Sequence, residues 1–457
     1  MKLRIVSACL ALVLVLSLCS GFTAFAAQGE LPETLTLRAA EGNGIPSWID
    51  LTPDPAGTKD AYHLYLPGNV VPEACFLSWE GGLSATLAGK SYESGALPIP
   101  KPGQSATYSF TAGAQSKTFT VRCYQGSAAV KPIFIEIDES LGTIAAMNGD
   151  KDHETTCSGI IYVDGVQMTL SKMKGRGNYT WDHAVEKRPY NITLGSKTVI
   201  LGIDTPKTKK WSLLANTNDH TLLRNKVAYD LAHTMGIGQD SATADMWMNG
   251  QYQGTYLVTP KTDSFVPDDG FLVENNNYAE TVPISEGGDP TFYVGSSNES
   301  VSAGSGGGGG WGGWGGFIPG QPGYSGSTLL TNIKGIGKNW LEGGVENTET
   351  ITDAAKRIRA YLEDAWAAIQ AADGKNSKGK YYADYMDLPS TAAFYLLHEY
   401  VKNLEVEGGS IFFHRDGMTD ADKLMGGPAW DYDNALGFNG TNFFGGGSKD
   451  NYLRIDG

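Results

Sequence analysis

Two carboxylates stand two residues apart in Gly426-Gly-Pro-Ala-Trp-Asp-Tyr-Asp-Asn-Ala-Leu-Gly437: Asp431 and Asp433. In an extended segment residues i and i+2 point to the same face, so both acids could reach one cation. Hard divalent cations such as Mg2+ take carboxylate oxygens and keep positions for substrate phosphates. Asp, Asn and Gly are also turn residues, and for an isolated Asp-x-Asp a turn closing a strand is the commoner arrangement. Cations stand earlier, in Lys172-Met-Lys-Gly-Arg-Gly-Asn-Tyr-Thr-Trp181 and Lys187-Arg-Pro-Tyr190. There Lys174, Arg176, Lys187 and Arg188, interleaved with glycine backbone, could face an anion. A solvated Gly-Arg-Gly turn with exposed lysines has the same composition, so these stretches alone leave both alternatives open.

Composition narrows the partners. A formal net charge of −15 argues against a nucleic-acid-binding surface but leaves room for an anionic substrate in a local basic pocket. The 457 residues, 41% of them apolar, suffice for two or three domains with cores. Lys2 and Arg4 precede an apolar run over residues 5–18, and Ala24-Phe-Ala26 follows. Residues 1–26 therefore read as a secretory signal peptide, the run being too short for a membrane span. No later stretch approaches about 18 unbroken apolar residues. The expected product is secreted or held at the cell surface, without an integral membrane segment after signal removal. Cys75, Cys123 and Cys157 remain in the mature chain, neither a disulfide framework nor a metal-ligand pattern, although Cys75 and Cys123 could pair.

The elements that must position the acids and cations follow from periodicity. Residues 27–130 carry short β runs broken by Pro and Gly, among them Tyr62-His-Leu-Tyr-Leu66, Ala106-Thr-Tyr-Ser-Phe110 and Lys117-Thr-Phe-Thr-Val-Arg122. This spacing predicts a small β-sandwich, a spacer or binding module. Lys131-Pro132 marks a boundary, and residues 131–457 form the second domain. Asp164-Gly165 and Asn249-Gly250 each join two β runs and predict hairpins. Residues 221–235 predict a helix capped by Asn218-Asp219, with Leu223, Val227, Leu231 and Met235 on its apolar stripe and Arg224 beside it. Residues 297–328, rich in Gly and Trp, read as a flexible insertion. Two helices follow, over 351–372 and 387–403, the second with Phe394, Leu397 and Val401 on one face. Nothing before Gly457 reads as a compact ending, as expected of a fragment.

A mainly β lobe with cations followed by a helical lobe with carboxylates is the layout that phosphoryl transfer needs. At Lys174-Gly-Arg-Gly-Asn178 with Trp181, Lys187-Arg-Pro-Tyr190, Lys210-Trp-Ser-Leu-Leu-Ala-Asn216, Asp219-His-Thr-Leu-Leu-Arg-Asn225, Asn249-Gly-Gln-Tyr-Gln-Gly-Thr-Tyr256 and Pro428-Ala-Trp-Asp-Tyr-Asp-Asn-Ala-Leu-Gly437 the chain resembles the CotH proteins. That family is named for a bacterial spore-coat component and classed as atypical secreted protein kinases, and the resemblance covers about residues 133–450. It implies an α+β protein: a small β-sandwich followed by an atypical bilobal kinase-like domain, with a mainly β N-lobe and a helical C-lobe. It implies transfer of the ATP γ-phosphate to Ser or Thr of a secreted or cell-envelope protein, with Mg2+ or Mn2+. Asp431 then matches the metal-binding Asp and Asp433 supports it, while Lys174, Arg176, Lys187, Arg188 and Arg224 become nucleotide-binding candidates.

One departure stands out. The family commonly has Asn-x-Asp, its Asp matching the catalytic-loop base, with a metal-binding Asn or Ser five residues on. Here the stretch is Asn403-Leu-Glu405, with Ser410 at the later position. Glu405 keeps a carboxylate on an arm one methylene longer, and a misplacement of that scale can cost on the order of 100-fold in rate. Two other readings stay open: a catalytically weak or inactive surface or assembly protein that uses the fold for binding, and a nucleotide or phosphosugar transferase.

Overall fold

A computed structural model describes residues 30–177, 180–181, 187–276, 282–295, 329–403, 406 and 409–437. The expected signal peptide (1–26), the expected Gly/Trp-rich insertion (297–328) and Glu405 lie outside the described residues. The chain is mixed α+β, mostly sheet with few helices. It divides into two compact units. The first takes the chain up to Glu136 with Ile161–Gln167 and Asp245–Gly254; the second takes Ile137–Ile160, Met168–Ala244 and the described residues from Thr255 on.

The first unit carries β1 (Thr36–Ala39), β2 (Ile49–Asp50), β3 (Thr52–Pro53), β4 (Ala61–Leu66), β5 (Cys75–Ser78), β6 (Ala85–Leu87), β7 (Lys90–Tyr92), β8 (Leu97–Pro98), β9 (Ser105–Ala112) and β10 (Gln115–Gln125). They form two sheets, ordered β2-β1-β5-β8 and β3-β4-β10-β9-β6-β7. Period-two alternation decides the faces: Tyr108 and Phe110 of β9 and Phe119, Val121 and Cys123 of β10 point inward, with polar residues between them. They meet Leu37 of β1 and Leu77 of β5 in one apolar cluster. Cys75 and Cys123 are buried free thiols, so the bridge considered from the sequence is not formed. Removal from water pushes their pKa values up, to about 11 and about 12.

Next come β11 (Lys131–Ile137), α1 (Ile144–Gly149), β12 (Cys157–Val163), β13 (Val166–Gly175), β14 (Tyr190–Thr198), β15 (Thr208–Leu214), α2 (Arg224–Thr234), β16 (Ala242–Met248) and β17 (Gln251–Pro260). The strands close as a barrel in the order β11-β12-β13-β14-β15-β17-β16. Both expected hairpin turns are present. Asp164 and Gly165 have φ of 48° and 82°, Asn249 and Gly250 of 43° and 78°, the positive pair that a two-residue hairpin needs. The chain ends in β18 (Phe271–Asn275), β19 (Thr291–Val294), β20 (Leu329–Ile336), α3 (Thr348–Gln370), α4 (Tyr382–Tyr385), α5 (Leu388–Val401), β21 (Ile411–Arg415) and β22 (Met425–Gly426). A five-stranded antiparallel sheet, β19-β20-β18-β21-β22, stands between the apolar faces of α3 and α5. Asn347 and Thr350 cap α3 reciprocally, and Asp387 caps α5 by accepting the Ser390 N–H. Phe394, Leu397 and Val401 are buried, as their spacing predicts.

Helix α2 turns most of its expected stripe outward, and only Leu231 of the four packs, partly buried, against the core. Leu223, Val227 and Met235 of the expected apolar stripe are 55%, 40% and 39% exposed, whereas Asn225, Ala228, Tyr229 and Ala232 are buried. The reason lies in what the helix covers. Ala228 and Ala232 let the chain at Ala429 and Trp430 approach closely, while Asn225 and Tyr229 provide hydrogen-bond partners for its backbone. Those needs outweigh the gain from burying three aliphatic side chains. Val227→Ala is accordingly expected to change stability by no more than about 0.5 kcal/mol, and Ala232→Leu to cost about 1–3 kcal/mol by overpacking. Chemical denaturation of the two variants checks this, and equal costs would contradict the assigned faces.

Candidate active site

Asp431 and Asp433 follow β22 in a stretch without regular structure. Asp431 has φ 63°, so the segment is not extended, and the same-face argument from an extended chain does not apply. A turn brings the acids together instead, with the Ala435 N–H bonded to the Tyr432 carbonyl at 3.1 Å. Left-handed backbone is costly for a residue other than glycine and persists only where neighbours fix it. Here the Asp431 N–H donates to Tyr229 Oη at 3.3 Å and the Tyr432 N–H to Asn225 Oδ1 at 2.7 Å. Asn225 in turn donates to Asn216 Oδ1 at 3.0 Å. On the other side Tyr432 Oη meets His398 Nε2 at 3.2 Å, and Asn403 Nδ2 meets His398 Nδ1 at 3.1 Å. The inward face of α2 and the end of α5 thus clamp the acid-bearing turn between them.

The paired carboxyls make the turn a candidate cation site. Removal from water raises the pKa of both carboxyls, and for Asp433 the neighbouring charge of Asp431 raises it further. Arg176 works against both shifts, and its guanidinium lies over the Trp430 ring, 5.4 Å from the centroid. Besides the contact between the two carboxyls themselves, the acids receive long hydrogen bonds: Ser410 Oγ reaches Asp431 Oδ2 at 3.5 Å and Asn218 Nδ2 reaches Asp433 Oδ2 at 3.5 Å. Such contacts are too weak to neutralise two adjacent carboxylates. A divalent cation would do so. No group of three or more His, Cys, Asp or Glu able to hold a metal occurs among the described residues. Two carboxylates and a hydroxyl suit an ion such as Mg2+, which completes its shell with water and phosphate, rather than an all-protein cage.

The candidate cations separate. Arg176 joins the acids, and the glycines around it explain the motif. A Cβ on Gly175 would stand 2.5 Å from the Trp181 ring, and Gly177 has φ 83°. Lys187 donates to the carbonyls of Ala215 and Thr255 and lies over the Tyr256 ring. Arg188 donates to the Trp181 carbonyl at 2.9 Å and lies over its ring. Arg224 forms an ion pair with Asp219. Burial opposes charge on Asp219, but hydrogen bonds from Thr221 and Arg224 outweigh it and hold the pKa low. Helix α2 begins at Arg224 with Leu223 at its N-cap position and no side-chain cap bond, so the expected Asn218-Asp219 cap is not formed: Asp219 accepts the Arg224 N–H at 2.8 Å, and Asn218 is turned toward Asp433. Lys174 is half-buried, its pKa lowered by burial and by Lys172.

Several members of the site escape a motif reading. Glu274, buried in β18, accepts the Ser410 N–H at 3.2 Å, and its carboxyl lies within the field of Asp431. Tyr229 and His398 act through contacts distant in sequence, and Asn225 stood at the end of the Asp219-His-Thr-Leu-Leu-Arg-Asn225 motif without a role. For Glu274 the signal was a lone acid in Phe271-Leu-Val-Glu-Asn275. His398 supports a measurable consequence. Burial lowers its pKa to about 4, so the imidazole is neutral in the folded protein, whereas the unfolded chain takes up a proton near pH 6.5. Between those values the unfolded state binds more protons, so stability falls as pH drops through the window. Urea denaturation is expected to show the native protein losing on the order of 2 kcal/mol more between pH 7 and pH 5 than His398→Gln does.

No curated protein matches the chain. A family model described as CotH kinase protein matches residues 173–454, a span that begins in β13 and takes in Arg176, Glu274, Ser410, Asp431 and Asp433. That match extends over more than half of the chain, and with the acid turn, its clamp and the adjoining Arg176 in one unit, the protein belongs to the CotH kinase family.

Proposed function

We propose that this chain is an exported protein kinase that transfers the ATP γ-phosphate to Ser or Thr hydroxyls of secreted or cell-envelope proteins. The observation that carries the reading is the convergence of Asp431, Asp433 and Ser410 with Arg176 inside the family-matched span. On this reading the family domain is a bilobal kinase-like body, and the two-sheet unit ahead of it is a β-sandwich module for surface or partner binding. Export rests on the signal-like residues 1–26.

Asp431 and Asp433 would hold Mg2+ or Mn2+, with the Ser410 hydroxyl beside them. The bound ion would neutralise charge on the phosphate oxygens. Arg176, stacked on Trp430, is placed to meet the same phosphates with a fixed positive charge. Lys187 and Arg188 are committed to backbone carbonyls and aromatic faces, so their part is to set the shape of the site. The acceptor hydroxyl attacks the γ-phosphorus, the bond to the β–γ bridging oxygen breaks, and ADP leaves. Glu405 is the candidate acceptor of the hydroxyl proton. A second reading, a weakly active or inactive binding protein, is favoured by one observation: Glu405 stands where the family commonly has Asp.

Incubation of residues 27–457 with γ-labelled ATP and Mg2+ or Mn2+ separates these readings. The kinase reading expects label on Ser or Thr of the protein itself or of envelope proteins, abolished in Asp431→Ala. It expects Glu405→Ala to lose on the order of 100-fold or more in rate. A folded protein that shows no label and no metal-dependent nucleotide binding sinks the kinase reading and leaves the binding protein.

A further inference from the structure

Glu274 occupies an unusual place. It lies mid-strand in β18, 6% exposed, with Phe271, Leu272 and Val273 packed into apolar clusters beside it. A buried ion pair there is weak support for stability, and apolar side chains of similar size often serve a core as well or better. Its two oxygens have different partners. Oε1 accepts the backbone N–H of Ser410 at 3.2 Å, and Oε2 faces Lys334 Nζ at 3.4 Å. Lys334 also meets Asp289 at 2.8 Å, which fixes the ammonium from its far side.

Ser410 is the residue being held. It has φ 58°, left-handed backbone that a serine adopts only under constraint. Its hydroxyl reaches Asp431 Oδ2. The next residue, Ile411, begins β21 and is paired with Asn275, while Phe412 is paired with Glu274 itself. On the other side Glu274 is paired with Asn332 of β20, two residues before Lys334. Three strands therefore fix the Glu274 carboxylate beneath the Ser410 amide.

We propose that Glu274 is a positioning residue of the cation site. It holds Ser410 in the left-handed conformation that aims the hydroxyl at Asp431, and Lys334 supplies the counter-charge that keeps the carboxylate in place. The inference rests on the metal-nucleotide reading of the acid turn. Its consequence is that a residue touching neither the ion nor the phosphates sets the affinity for the ion, as partners behind metal ligands commonly do.

The test is calorimetric titration of residues 27–457 with Mn2+ in the presence of a non-hydrolysable ATP analogue. Glu274→Ala is expected to lose about 10–100-fold in Mn2+ affinity, and Glu274→Gln less, because its amide oxygen still accepts the Ser410 N–H. The Glu274→Ala/Lys334→Ala double variant also removes the ammonium that has lost this carboxylate and is expected to regain thermal stability but not Mn2+ affinity. Recovery of affinity in the double variant would show that the pair serves stability alone and overturn the inference. So would a folded Glu274→Ala that binds within about twofold of the native protein while Asp431→Ala does not bind. Should Glu274→Ala fail to fold, unchanged affinity in both Glu274→Gln and Lys334→Met would overturn it equally. Absence of Mn2+-nucleotide binding in the native protein would instead remove the functional reading itself.

Discussion

Placing two carboxyl groups side by side away from water costs free energy twice, once for desolvation and once for their mutual repulsion. Asp433 is buried and Asp431 beside it partly so, and burial raises the pKa of both. The turn that joins them uses left-handed backbone at Asp431, so the polypeptide cannot hold it unaided. Tyr229 and Asn225 fix the backbone from α2, and His398 fixes Tyr432 from α5. Arg176 is the adjoining cation, and its stacking on Trp430 places its charge; among the described residues no ion pair engages it.

This constraint accounts for the choices in α2 that run against its own amphipathic pattern. A helix chosen only for core burial would turn Leu223, Val227 and Met235 inward. Instead the inward face has two alanines, an asparagine and a tyrosine, because the acid-bearing turn needs close approach and hydrogen-bond partners more than it needs hydrocarbon. The same trade appears in β18, where a glutamate replaces an apolar residue that the sheet would accommodate readily. Where local preference and global packing disagree in this domain, the disagreement points to the acid pair.

Much of the architecture was legible along the chain. The two hairpin turns follow from Asp-Gly and Asn-Gly, since only residues tolerant of positive φ fit both central positions. Helices α3 and α5 follow from spacing, and α5 buries the three residues its pattern names. The basic and glycine-rich stretch was legible as a motif but not in its division of labour. Lys187 and Arg188 read in sequence as equals of Arg176, yet carbonyls and aromatic rings of other residues engage them, the bonded carbonyls from up to 68 positions away. Charge type is written in the sequence; whether a charge is directed at a ligand or at the protein's own backbone is not.

By itself, the sequence determined the kinds of chemistry available: an Asp pair, a cation-rich turn, a serine at a fixed interval and a family pattern that orders them. Those features are local, carried by residue type and spacing, and so survive being read one residue at a time. Tertiary structure alone decided that the acids meet through a left-handed turn, that Arg176 of the five candidate cations joins them, and that Glu274 and His398 belong to the same construction. Each of these depends on groups far apart in the chain, Ser410 from Glu274 by 136 positions and Tyr432 from Asn225 by 207. Packing and buried hydrogen bonds, which no local pattern encodes, bring them within reach.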